Sequence, residues 1–126
     1  MVKTLVFDTG PVISFTTTNI LWALGSLKEM FRGRFLITQG VKHELVDAPI
    51  LTKKFKFEAF QVRKLLADRA FEVYSSPSVV PRANSMMELA NTIFSIGGKK
   101  MSIVQVGEME TLAAALEIGA DAVVID

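Results

Sequence analysis

Hydrophobic positions in this chain follow two alternating rhythms. Compact, mostly apolar runs stand at Thr4-Leu5-Val6-Phe7, Arg34-Phe35-Leu36-Ile37, Phe71-Glu72-Val73-Tyr74 and Ala122-Val123-Val124-Ile125, and each reads as a strand. Between them the apolar residues recur every three or four positions. The first strand, about 3–8, is expected to lead through a loop into a helix from about Asn19 to Phe31. Ile20, Leu24, Leu27 and Phe31 share one face of that helix, and Asn19 is its N-cap. Gly33 ends the helix before the second strand. Thr38 then caps a short helix carrying Val41, His43, Glu44 and Leu45, which Pro49 should stop.

A long helix over about 54–70 precedes the third strand, and a proline-containing loop over 75–82 follows it. Ser85 to Glu88 matches an S-x-x-E capping box, predicting a helix from Met86 to about Ile96 that stops at Gly97-Gly98. A last helix starts near Gly107, runs through Ile118, is closed by Gly119 and feeds the final strand. Strand and helix in repetition predict an α/β fold, a three-layer α/β/α arrangement around a parallel sheet. The 126 residues form one expected domain, 1–126, with no internal repeat. The chain stops on its fourth strand, so more of the domain is expected to follow Asp126.

Composition narrows the function classes. Half the residues are hydrophobic, suiting a sheet covered on both faces, yet no run is long enough to cross a membrane. A signal-peptide pattern is missing and there is no cysteine, which together predict a cytoplasmic protein without disulfides, thiol catalysis or Cys-bound zinc. The net charge of +1 conceals two poles. Lys53, Lys54, Lys56, Arg63, Lys64 and Arg69 cluster in one stretch, whereas 107–126 holds Glu108, Glu110, Glu117, Asp121 and Asp126 with no base. Each pole can be merely a solvated helix face. Together they suit an enzyme in which carboxylates hold a metal while cations hold a polyanion.

Singly, the acids have ordinary explanations: Asp8 as a turn former, Glu44, Glu108 and Glu110 as favourable charges near helix starts, Asp126 as the first loop residue. Jointly, Asp8, Glu44, Glu108 and Asp126 fall at carboxyl ends of strands or at starts of the helices after them, positions that share one edge of a parallel sheet. Asp8 is expected to be exposed there. Four carboxylates without basic partners call for a cation, and hard oxygen donors suit Mg²⁺ or Mn²⁺.

In these residues the chain resembles the PIN-domain family of metal-dependent ribonucleases, including its toxin-type and archaeal members. The resemblance lies in Phe7-Asp8-Thr9-Gly10-Pro11, in Thr38 to Leu45, and in the unbroken stretch from Gly107 to Asp126. It covers roughly 3–46 and 105–126. It implies an endoribonuclease that hydrolyses RNA, single strands above all, with Mg²⁺ or Mn²⁺ held by Asp8, Glu44, Glu108 and Asp126. Glu110 is the second candidate for the third acid, and Glu stands where many relatives have Asp. The resemblance also implies a possible homodimer and, if the chain is a toxin of a toxin–antitoxin pair, an antitoxin protein as partner. Thr9 and Thr38 are expected to position water or phosphate, and Lys42 and His43 to reach the RNA backbone.

Competing chemistries lack their residues. Gly10 stands where a D-x-D phosphatase needs its second acid, and neither a P-loop nor a dinucleotide fingerprint is present. With His43 as the one histidine and no G-x-S-x-G elbow, covalent catalysis has few candidates. A module that binds RNA or a protein without cutting remains the alternative.

Overall fold

A computed structural model describes residues 2–93, 95–96, 99–100 and 106–126. Four strands, β1 (Lys3–Phe7), β2 (Gly33–Thr38), β3 (Glu72–Tyr74) and β6 (Ala122–Val124), form one all-parallel sheet in the order β3-β2-β1-β6. These are the four apolar runs. The chain steps from β1 out to β2 and β3, then returns to lay β6 on the other side of β1. Val6 is thereby flanked by Leu36 and Val123. Strand order thus reverses between β1 and β6, and the crevice beyond their carboxyl ends is where such sheets bind ligands.

Helices cover both faces, a three-layer α/β/α fold. On one face Phe7, Phe35 and Ile37 pack with Val12 of α1 (Thr9–Thr17), Leu24 of α2 (Ala23–Phe31) and Val62 of α5 (Lys56–Ala67). On the other, Val6 and Leu36 pack against Ala115 of α7 (Val106–Ile118), which also lies along α6 (Val79–Ile93) through Met109, Ala113 and Ala114. Alternate residues of each strand therefore serve different cores, as the two-residue period of a strand requires. A small antiparallel pair, β4 (Ser95–Ile96) and β5 (Lys99–Lys100), follows α6. The Gly97-Gly98 stop expected there lies outside the described residues. No helix among the described residues is long and apolar enough to cross a membrane.

Several element boundaries differ from expectation for local reasons. The chain enters helix immediately after Asp8, and α1 occupies what reads as loop. Asn19 does not cap a helix start. It adopts a left-handed conformation (φ 58°), and the Ile20 N–H reaches back to the Phe15 carbonyl while the Asn19 N–H reaches Thr16, a Schellman ending of α1. The Ser85–Glu88 box is likewise interior to α6, and the Ser85 hydroxyl donates to the Pro81 carbonyl instead. Pro81 falls in the first turn of that helix, where a missing N–H costs nothing.

Pro49 does not stop the helix either. Between α3 (Gln39–Lys42) and α4 (Ala48–Ile50) the backbone widens into a π-helical turn, His43–Asp47. A widened turn makes room for a proline ring and an unmade hydrogen bond. It also swings Glu44 and Asp47 to positions a regular helix would not give them.

Candidate functional site at the carboxyl edge of the sheet

Asp8 is the residue at which β1 ends and α1 begins. Its backbone is extended (φ −81°, ψ 173°), its N–H donates to the Val124 carbonyl at 2.9 Å, and its side chain caps no helix N–H. Contrary to expectation Asp8 is buried, at 7% exposure. Burial of a carboxylate is costly unless a partner meets it. Asp126, two residues past the end of β6, is exposed, and its carboxylate lies over the Gly10 backbone so closely that a Cβ there would collide with it. The outer acids of the sequence thus come to neighbouring strand ends.

Glu44 and Glu110 arrive from different helices. Thr9 donates its hydroxyl to Glu44 Oε2 at 2.8 Å, and Glu44 Oε1 lies 3.1 Å from where a Cβ on Gly107 would stand. Glu110 in turn is seated on the bare backbone of Gly40, at the start of the α3 helix that Thr38 caps by accepting the Val41 N–H at 3.2 Å. Glycine at 10, 40 and 107 is what lets three carboxylates approach the backbone this closely. Burial, and after it the Glu44 carboxylate, pushes the Glu110 carboxyl above the ordinary range. Glu108 sits in the first turn of α7, partly buried. Of the two candidates for the third acid, Glu110 lies against Gly40 and has its carboxyl raised by the Glu44 charge.

The carboxylates share the edge in pairs. Among the described residues no three of Asp, Glu and His are close enough together to hold a metal ion. The donor chemistry nevertheless fits a hard divalent cation: every side chain is an oxygen ligand, one acid is buried, and two others repel each other with no base between them. The nearby bases are engaged elsewhere. Lys42 pairs with Asp47 at 3.2 Å, and His43 Nδ1 lies 3.9 Å from the same carboxylate, so neither is directed at the edge.

The basic stretch acquires a sharper form. Phe55, Phe57 and Phe60 are exposed among Lys53, Lys54, Lys56 and Arg63, with Lys54 over the Phe55 ring at 5.2 Å and Arg63 over Phe60 at 4.7 Å. Phe55, Glu44 and Thr16 line one small cleft of about 160 Å³. These aromatics are the residues sequence reasoning missed; phenylalanines interleaved with lysines were a visible signal. A larger concavity of about 780 Å³ lies at the opposite end, lined in part by Trp22, Lys28, Arg32, Lys64 and Arg69, and contains none of the candidate site acids. Its cations stand at the C-terminal ends of α2 and α5, where they complement the helix carbonyls.

Two consequences can be measured directly. Glu110→Gln in the presence of chelator should raise the melting temperature at neutral pH. The folded-state pKa of Glu110 lies above its unfolded value, so its ionised form costs stability as pH rises through the ordinary glutamate pKa and beyond. The advantage of Gln should fade below pH about 4, where both states hold the proton; a gain unchanged at acid pH would refute the electrostatic origin. Gly40→Ala should displace the Glu110 carboxylate, the movable end of a flexible chain, with little effect on thermal stability. Mn²⁺ titration would then show weakened binding, and unaltered affinity would remove Glu110 from the ligand set.

Set against protein-family models, curated proteins and solved structures, the chain matches none.

Proposed function

We propose that this chain is a PIN-like, metal-dependent endoribonuclease acting on single-stranded RNA. The observation that carries the reading is the convergence of four acids from separate elements on one sheet edge: Asp8 after β1, Asp126 against Gly10, Glu44 bonded by Thr9 and Glu110 against Gly40. Asp8, Glu110 and Asp126 would hold Mg²⁺ or Mn²⁺, with Glu44 as a further ligand or as the base that orients water and Glu108 as the alternative third acid. The chemistry a bound ion supplies is Lewis-acid activation of water and neutralisation of the scissile phosphate. Thr9 fixes the Glu44 carboxylate through its hydroxyl, so this acid keeps one orientation. Lys53, Lys54 and Lys56 would follow the phosphates while Phe55 and Phe57 stack on unpaired bases, contacts that need no particular sequence.

The test is incubation of labelled single-stranded RNA with Mn²⁺, with Mg²⁺ and with chelator. Cleavage should require the metal, and cleavage in chelator would overturn the mechanism. A second reading, an RNA-binding module that does not cut, is favoured by the lack of a three-acid cluster among the described residues. It predicts RNA affinity with no metal-dependent product.

A further inference from the structure

Away from the acidic edge, the concavity of about 780 Å³ has no place in the account so far. Its volume lies within the roughly 300–1,000 Å³ of small-molecule sites. Four cations line it, Lys28, Arg32, Lys64 and Arg69, against two acids, Glu29 and Asp68.

Helix ends explain only part of that charge. Lys28 and Lys64 stand in the last turns of α2 and α5, where each complements the terminal carbonyls. Arg32 and Arg69 come just past those ends, and both hold the left-handed conformation (φ 56° and 60°). Glycine takes that conformation without steric cost, as Gly119 does after α7, so arginine is the costlier residue at both positions. Asn19, the third non-glycine residue of positive φ among the described residues, lines the same concavity. Backbone strain of this kind gathers at binding sites.

The fold does not use up these side chains. Lys28 donates to the Arg69 carbonyl, but the Arg32, Lys64 and Arg69 side chains form no hydrogen bond or ion pair among the described residues. Glu72, whose charge Arg69 feels, spends its hydrogen bonds on Arg34. Trp22 completes the recess. Its ring is 75% exposed, yet its indole N–H donates to the Asn19 carbonyl at 3.1 Å, which holds the ring at the wall of the concavity. An exposed, oriented indole is a stacking platform for a planar base, and unpaired guanidinium groups suit phosphate oxygens.

We infer that this concavity is a nucleotide site: a free nucleoside diphosphate binds with its phosphates on Arg32, Lys64 and Arg69 and its base on Trp22. The site is separate from the acidic edge and needs no metal there.

Trp22 is the one tryptophan of the chain, so its fluorescence reports on this site alone. The experiment titrates the full chain, in chelator, with ADP and with pyrophosphate, following fluorescence and heat. ADP should quench Trp22 and bind about tenfold more tightly than pyrophosphate, the share that stacking supplies. Trp22→Ala, followed by calorimetry, should lose that advantage and keep pyrophosphate binding. Arg32→Gly should weaken both ligands about tenfold while its melting temperature holds or rises, because glycine relieves the left-handed backbone. Should Arg32→Gly fail to fold, Arg32→Asn removes the same charge with a residue that also tolerates this conformation. No binding of ADP at millimolar concentration overturns the inference, as does equal affinity of the wild type and the Arg32 variants. Pyrophosphate bound as tightly as ADP overturns the role of Trp22 and with it the nucleotide assignment. A single-stranded oligonucleotide that binds more tightly than ADP, and loses the advantage in Arg32→Gly, overturns the free nucleotide as occupant.

Discussion

Asp8→Asn is expected to abolish metal-dependent RNA cleavage while leaving the fold standing. Asparagine matches aspartate in shape, and the contact that fixes this position in the sheet, the Asp8 N–H to the Val124 carbonyl, is made by the backbone. What changes is charge and donor chemistry at a buried point on the carboxyl edge. Loss of an outer partner to a ligating group already costs metal affinity about 10–100-fold, so loss of a ligand should cost ~100-fold or more. Affinity for uncut RNA should hold or increase, because one negative charge leaves the path of the phosphates. Cleavage that survives the substitution would end the nuclease mechanism. So would a wild-type protein that never cuts.

Phe71→Ala should have the largest effect on stability. The ring stands just before β3 at 1% exposure, edge-on to Phe7 with centroids 5.2 Å apart and 6.3 Å from Phe35. Phe7 and Phe35 are themselves in contact at 5.1 Å, so the three rings bridge adjacent strands on one face of the sheet. Truncation removes the buried apolar area and leaves a cavity that neighbouring β-sheet backbone cannot collapse into, a loss of about 3–5 kcal/mol. Thermal unfolding should shift down by roughly 10–20 °C for a domain of this size. Phe57→Ala, at an exposed position, is the control and should barely move the transition. A Phe71→Ala protein as stable as that control would show the aromatic cluster to be marginal to the fold.

The two substitutions separate what could be read along the chain from what could not. The four strands and their all-parallel arrangement were legible because a buried strand leaves a dense apolar run that needs no distant partner to be recognised. The closing helix was legible too: Gly119 takes the left-handed conformation (φ 68°) that ends α7. Local signals misled where they were shared by two structures. The Ser85 hydroxyl can cap a helix or bond back to a carbonyl of the preceding turn, and it does the latter because α6 already begins at Val79. Pro49 stops a regular helix, but a π turn ahead of it removes the clash.

The candidate site shows the same division. Acids at strand ends were visible as acids at strand ends, and Asp8 and Asp126 are found there. That Asp8 is buried is an outcome of tertiary packing that its sequence neighbours do not reveal. That Glu110 lies against Gly40 and feels the Glu44 charge depends on which side of α7 faces Gly40, and spacing within one helix is silent about its rotation against another.

By itself, then, the sequence determined the four parallel strands, the main covering helices and the inventory of oxygen donors, because each follows from patterns over a few neighbouring residues. Tertiary structure alone decided the return of the chain to place β6 beside β1, and the seating of Glu44 against Gly107 and of Glu110 against Gly40. Those outcomes turn on strand order and helix packing, which join residues far apart in the chain through contacts that no local pattern encodes.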